Sequence, residues 1–148
     1  MRVRVRSNAL DIAAGKGSHH RLTPSLEYFI IGMTYDHLRV INDGGEPILY
    51  PKCLFEICDS SLPPDWQFNE WETGDYYLDP RPTAAPGFYE RYFCSDGDLQ
   101  AQLDAQRVLR TVLEEVLEWG QEADRLVIQR DLERLANYER DTLLRRPK

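Results

Sequence analysis

Five prolines, Pro63, Pro64, Pro80, Pro82 and Pro86, fall between residues 59 and 90. Each removes a backbone donor and restricts the residue before it, so no helix of ordinary length survives that spacing. The stretch must be built from extended segments and turns, and Trp66, Phe68, Trp71, Tyr76 and Tyr77 are expected to pin it to a core. Phe88, Tyr89, Tyr92 and Phe93 follow as a second aromatic cluster compatible with a short helix. Beyond residue 96 the pattern changes. Leu99, Leu103, Val108, Leu109, Val112, Leu113, Val116, Leu117 and Trp119 recur mostly at steps of three and four, the period of an amphipathic helix. Ser95 or Asp96 can cap its start, and Gly120 is a natural stop as the residue just past a helix end. A second helical run carries Leu126, Ile128, Leu132, Leu135 and Leu143, with Glu122 and Arg125, and Asp131 and Arg134, paired at i,i+3 on its polar face. Gly120 either separates an antiparallel pair or interrupts one long helix, at a cost of about 1 kcal/mol.

The part preceding the prolines reads as strands. Glu27 to Met33 is rich in β-branched and aromatic residues and is expected to be a buried strand. His37 to Ile41 is a second strand, Asn42-Asp43-Gly44-Gly45 is a turn that tolerates positive φ, and Ile48-Leu49-Tyr50 returns antiparallel. Pro47, unable to donate to a ladder, belongs on an edge. Leu54 to Cys58 is ambiguous between a strand and one helical turn. The alternation Arg2-Val3-Arg4-Val5-Arg6 suits a half-buried strand; the remainder of residues 1–25 reads as an irregular basic leader. The expectation is an α+β fold: a small antiparallel sheet or partly closed barrel, followed by one or two long C-terminal helices. A β-rich part over 26–93 and a helical part over 96–145 make one domain. The 148 residues suffice for one such core without staples.

Purely apolar runs reach four or five residues, far short of the roughly 20 a spanning helix needs. Cys53, Cys58 and Cys94 are an odd number without zinc spacing, and read as buried structural thiols in a reducing cytoplasm. Ala14-Gly15-Lys16-Gly17-Ser18 lacks the first glycine of a phosphate loop, and Asp96-Gly97-Asp98 lacks the later ligands of a calcium loop. Cys94 or Cys58 with His37 makes a nucleophile–base pair only if folding joins them. No catalytic motif, metal site or cofactor signature emerges.

One charge feature does. The net charge is −7, and residues 53–80 hold seven acids and neither Lys nor Arg. Within that segment Asp65, Trp66, Glu70, Trp71, Glu72, Asp75 and Tyr76 interleave carboxylates with rings. Aromatics supply contact area, and carboxylates steer a basic partner. The plainer reading packs the rings on the core and leaves the acids as a solubilising surface. Nucleic acid is a poor partner for an acidic face, and five basic groups in residues 1–22 alter that little.

The run Tyr28-Phe29-Ile30-Ile31, Leu38 to Gly45, Leu49-Tyr50-Pro51, Leu54-Phe55-Glu56-Ile57 and Pro64-Asp65-Trp66 resembles small bacterial proteins in which a strand, an Asn-Asp-x-Gly turn and an LYP-like strand build a compact β-unit. Some proteins of that build resemble immunity proteins encoded beside polymorphic toxins. The resemblance covers residues 26–93 and is structural, so it carries over no functional residue. It implies a non-enzymatic binding protein, an immunity-like inhibitor whose acidic, aromatic surface covers a basic toxin domain. The alternative is a small enzyme or ligand-binding domain with a pocket between sheet and helices, around a cluster such as Asp36, His37 and Cys94. A third reading makes the long C-terminal helices an oligomerising interface.

Overall fold

The computed structural model describes residues 1–9, 21–63, 65–93 and 97–144. The loop resembling a phosphate site, Cys94, and the expected caps Ser95 and Asp96 lie outside the described residues. Seven antiparallel strands precede the helices: β1 Arg2–Val5, β2 Glu27–Thr34, β3 His37–Ile41, β4 Pro47–Pro51, β5 Phe55–Asp59, β6 Trp66–Glu70 and β7 Tyr76–Pro80. Then come α1 Phe88–Tyr92, α2 Leu99–Trp119 and α3 Glu122–Leu144. The architecture is α+β, an unclosed sheet followed by a helical pair.

The sheet runs β4-β3-β2-β1-β5, with β7 on β2 and β6 on β7. A short link forces it to curl. Five flat strands would set β4 and β5 about 19 Å apart at the usual spacing. The 3-10 turn Lys52–Leu54 that joins them advances only about 6 Å at 2.0 Å per residue. The edges therefore bend toward each other, and Tyr50, Leu54 and Phe55 meet Val3, Val5, Ile30 and Val40 in one inner core. The ambiguity over Leu54 to Cys58 resolves as a 3-10 turn ending where a strand begins, and Pro47 opens the edge strand β4.

β1 ties the start of the basic leader into the sheet between β2 and β5. Val3 and Val5 are fully buried, and the arginines between them meet acids on neighbouring elements. Arg4 reaches Glu27, Arg6 reaches Glu56, and Arg2 Nε donates to Asp124 at 2.7 Å at the start of α3. These cations serve the fold, leaving little of the leader for phosphate.

β2 is the keystone. β3 pairs along one of its edges; β1 takes the first half of the other edge and β7 the second. The register shifts between Ile30 and Gly32, which makes Ile31 a bulge. The extra residue resets the alternation, so Tyr28, Ile30 and Met33 face the inner core while Phe29 and Ile31 face the helices.

The helices form an antiparallel pair. Gly120 and Gln121 alone separate them, and Arg110 near the middle of α2 bonds Glu139 late in α3. Gly120 is extended rather than left-handed, with φ −70°. Its requirement is space, because a Cβ there would stand 2.6 Å from the Val116 carbonyl oxygen. Asp98 supplies the cap of α2, its Oδ1 accepting from Ala101 N at 3.0 Å.

The buried stripes keep helical spacing but pass through unexpected residues. In α2 the stripe is Gln102, Ala105, Gln106, Leu109, Leu113 and Val116, while Leu99 and Trp119 are exposed. Gln102 is buried because its Nε2 donates to the Tyr92 carbonyl at 3.1 Å, closing the end of α1. In α3 the stripe is Asp124, Val127, Ile128, Asp131 and Leu135, and Leu126 and Leu143 are exposed. The expected solvent-facing pair of Asp131 and Arg134 does not form. Asp131 is wholly buried, and Arg134 instead meets Asp43 at 3.2 Å. Tyr28 donates to that same carboxylate at 2.6 Å, which docks α3 on β2 and the 42–45 turn.

Candidate functional site

The β6–β7 hairpin carries the acidic, aromatic residues, and its pairing sorts them onto two faces. Trp66 opposes Pro80, Phe68 opposes Leu78, and Glu70 opposes Tyr76; Gln67 opposes Asp79, and Asn69 opposes Tyr77, on the other side. Strand side chains alternate, so one face holds Trp66, Phe68, Glu70, Tyr76 and Leu78, and the second holds Gln67, Asn69, Tyr77 and Asp79. The tip closes with Trp71 N donating to Asp75 O at 2.8 Å and Gly74 N donating to Trp71 O at 2.9 Å.

The first face is partly a core wall and partly an open surface. Trp66 and Leu78 pack against the inner core. Phe68 is 56% exposed and lies 5.4 Å from the Tyr76 ring, which meets the exposed Tyr35 edge-on at 6.2 Å. Lys52 Nζ stands 5.7 Å over the Tyr76 ring. Of the seven residues singled out in the sequence, Asp65, Glu70, Trp71, Glu72 and Asp75 are exposed, and Trp66 and Tyr76 are half-buried. The rings do not all pin the hairpin to the core. Trp71 is 60% exposed and touches only the edge of Tyr77 among the rings, at 5.7 Å. β6 pairs with β7 alone, so its outer edge has no strand partner among the described residues.

The second face closes a cleft of about 540 Å³ against the segment from Thr83 to Glu90. Trp71 and Tyr77 form one wall, Pro86, Gly87 and Tyr89 the other, and Arg39 and Asp79 lie within it. Arg39 comes from β3 and lays its guanidinium 3.6 Å over the Tyr89 ring. Its one hydrogen bond runs from Nη1 to the Pro47 carbonyl, 2.7 Å. Burial pulls its pKa down against the opposing charges of Asp79 and Glu90. Asp79 makes no hydrogen bond or ion pair with the described residues, and burial raises its pKa to about 6 against the pull of Arg39. Its Oδ1 occupies the space over Gly32, where a Cβ would come within 2.2 Å. The glycine in the middle of an apolar strand thus makes room for a carboxylate. Tyr89 is half-buried with its hydroxyl shut off from water, and that loss of water holds its phenol well above the usual range.

Arg39 and Asp79 were not among the residues the sequence singled out. A charge in the apolar strand His37-Leu38-Arg39-Val40-Ile41 was a signal, because a strand covered on both faces has no wet side for it. Its partner stands 40 positions later, beyond any local pattern.

The other sequence candidates do not assemble. Asp36 and His37 form a pair at 2.7 Å on the β2–β3 turn, and that hydrogen bond lowers the Asp36 pKa. Cys53 and Cys58 are exposed and free of any disulfide, not buried structural thiols; β5 is an edge strand whose residues Glu56 to Cys58 are exposed. Among the described residues no group of His, Cys, Asp and Glu could hold a metal ion, and no helix is long and apolar enough to cross a membrane. Comparison with protein-family profiles, with characterised proteins and with solved structures gives no match.

Proposed function

We propose that this chain is a non-enzymatic protein-binding module and that the β6–β7 hairpin is its docking element, taking a basic partner. The observation that carries the reading is the joint exposure of rings and carboxylates. Phe68 and Trp71 are each more than half exposed, and Glu70, Glu72 and Asp75 are exposed beside them. Exposed rings of this size gain most by being covered. The unpaired edge of β6 adds backbone donors and acceptors that a partner strand can take up. With seven acids and no cation in residues 53–80, approach is fastest for a positively charged surface. The most concrete form is an immunity-type inhibitor that covers the basic face of a toxin domain.

The test is affinity capture from the native host with two baits, the wild-type chain and a Phe68→Ser, Glu70→Gln, Glu72→Gln variant. The reading expects a protein held by the wild type and released by the variant. Its association rate should fall about tenfold or more from low to high salt, as for steered encounters. Equal capture by both baits, or an association rate flat in salt, overturns it.

A further inference from the structure

From the cleft geometry we infer that the pocket holding Arg39 and Asp79 is a binding site for a small dipolar molecule, a free α-amino acid with an aromatic or aliphatic side chain. The site lies on the inner side of the hairpin, and the inference does not depend on a protein partner. A guanidinium has five N–H donors, and Arg39 spends one, on Pro47. Asp79 spends none of its acceptor capacity on the described residues. The two charges feel each other, yet no ion pair joins them within 4 Å. A fork of donors and a pair of acceptors therefore share one recess and leave each other unsatisfied. Neither is among the polar groups sealed off dry without a partner, so both meet water in the cleft and are open to a ligand that offers a charge-assisted bond in its place.

Their chemistry selects the ligand. A carboxylate satisfies Arg39, and an ammonium satisfies Asp79. A plain anion would face the charges of Asp79 and of Glu90, which lines the cleft from an exposed position, and a plain cation would face that of Arg39. An α-amino acid carries both groups on adjacent atoms with no net charge. The walls fit its remaining part: Trp71, Tyr77 and the half-buried Tyr89 flank the charges, with Leu49 and Pro86 adding apolar lining. About 540 Å³ lies within the usual range for small-ligand pockets, about 300–1,000 Å³. The open space over Gly32 sets the carboxylate in its place before any ligand arrives.

The probes are L-phenylalanine, its N-acetyl derivative, which keeps only the negative charge, and its amide, which keeps only the positive one. Titration calorimetry and amide chemical-shift mapping are run on the full chain, wild type and Asp79→Asn. We expect saturable binding of L-phenylalanine with shifts centred on Trp71, Asp79 and Tyr89. Each single-charge analogue should bind at least about tenfold more weakly, the loss typical of one charge-assisted hydrogen bond. Asp79→Asn should weaken L-phenylalanine about as much, and should not weaken the N-acetyl derivative, which loses a repelling charge and gains affinity if it changes at all. Wild-type affinity should also fall as the pH drops through about 6, where Asp79 takes up a proton. Equal binding of the N-acetyl derivative and the parent, or indifference to Asp79→Asn in a folded variant, overturns the dipolar assignment. Absence of any shift in the cleft at millimolar L-phenylalanine overturns the site. Neither result touches the docking surface, which is tested with other residues and other probes.

Discussion

Replacing Asp131 by Asn is expected to stabilise the protein at neutral pH, and to do so through pH dependence alone. Asp131 is 0% exposed in α3, and neither carboxylate oxygen accepts a hydrogen bond. The nearest cation, Arg130 Nη2, stands 3.5 Å from Oδ1 and donates to the Glu27 carbonyl. Arg134 is engaged with Asp43. Loss of water therefore outweighs both arginines and lifts the carboxyl from 3.8 to about 7. Below about pH 4 the group is protonated folded and unfolded, and it contributes no slope. Between about pH 4 and about pH 7 the unfolded chain releases its proton and the folded chain keeps it, so stability falls by about 1.4 kcal/mol per pH unit. A difference of about three units makes the total about 4 kcal/mol, a large share of an ordinary domain's stability. Asparagine has no proton to lose, so the variant escapes this decline. Urea unfolding of both proteins at about pH 4.5 and about pH 8 measures it, provided the denaturant slopes agree. The gap should widen in favour of Asp131→Asn by several kcal/mol at the higher pH. A gap that stays constant, or widens in favour of the wild type, would show Asp131 to be an ionised partner of the two arginines and the argument to be wrong.

Gly120→Ala forces a Cβ against the Val116 carbonyl oxygen and should cost about 1–3 kcal/mol in denaturant unfolding, the range for overpacking. Leu109→Ala removes a fully buried side chain from the helix-side core and should cost about 2–5 kcal/mol by the same assay. Asp98→Ala deletes the cap on Ala101 N and should cost about 1 kcal/mol. Cys53 and Cys58 are both exposed, so both should react with a disulfide reagent in the native state. Cys58 should be the slower at mildly alkaline pH, because burial and the nearby Glu27 raise its pKa and reduce the thiolate that attacks.

Much of the scaffold was legible in the chain because it rests on local rules. The apolar run Glu27 to Met33, the strand His37 to Ile41 and the returning Ile48–Tyr50 became β2, β3 and β4, with Asn42–Gly45 as the turn between the last two. Helix was legible from the apolar spacing, but Gly120 left one interrupted helix and an antiparallel pair equally open, and only the packed structure selects the pair. What escaped was every feature set by a distant neighbour. Asp131 read as solvent-facing and Gln102 drew no notice, since nothing local marks a polar side chain as buried. Their burial depends on Asp43, Tyr28 and Tyr92, which belong to other elements. For Trp71 the sequence left an outward and an inward reading open, and for Phe68 it favoured the core; both are exposed. Rings usually go inside, and only the position of the hairpin at the sheet's margin leaves these two out. The cleft needed β3, β7 and the residues before α1 in one place, which no spacing in a single sequence announces.

Two residue pairs, Met33 with Leu78 and Thr34 with Tyr77, fasten the hairpin to β2. If an arm with so short a ladder tilts about Trp66 and Leu78, which pin its root to the inner core, β1 and β3 hold the rest of β2 in place. Its two sides would then move together: any shift that seats a protein against Phe68 also displaces Tyr77 and Asp79 behind it. By linkage, an amino acid that tightens the grip on a protein must itself be held more tightly by the same factor.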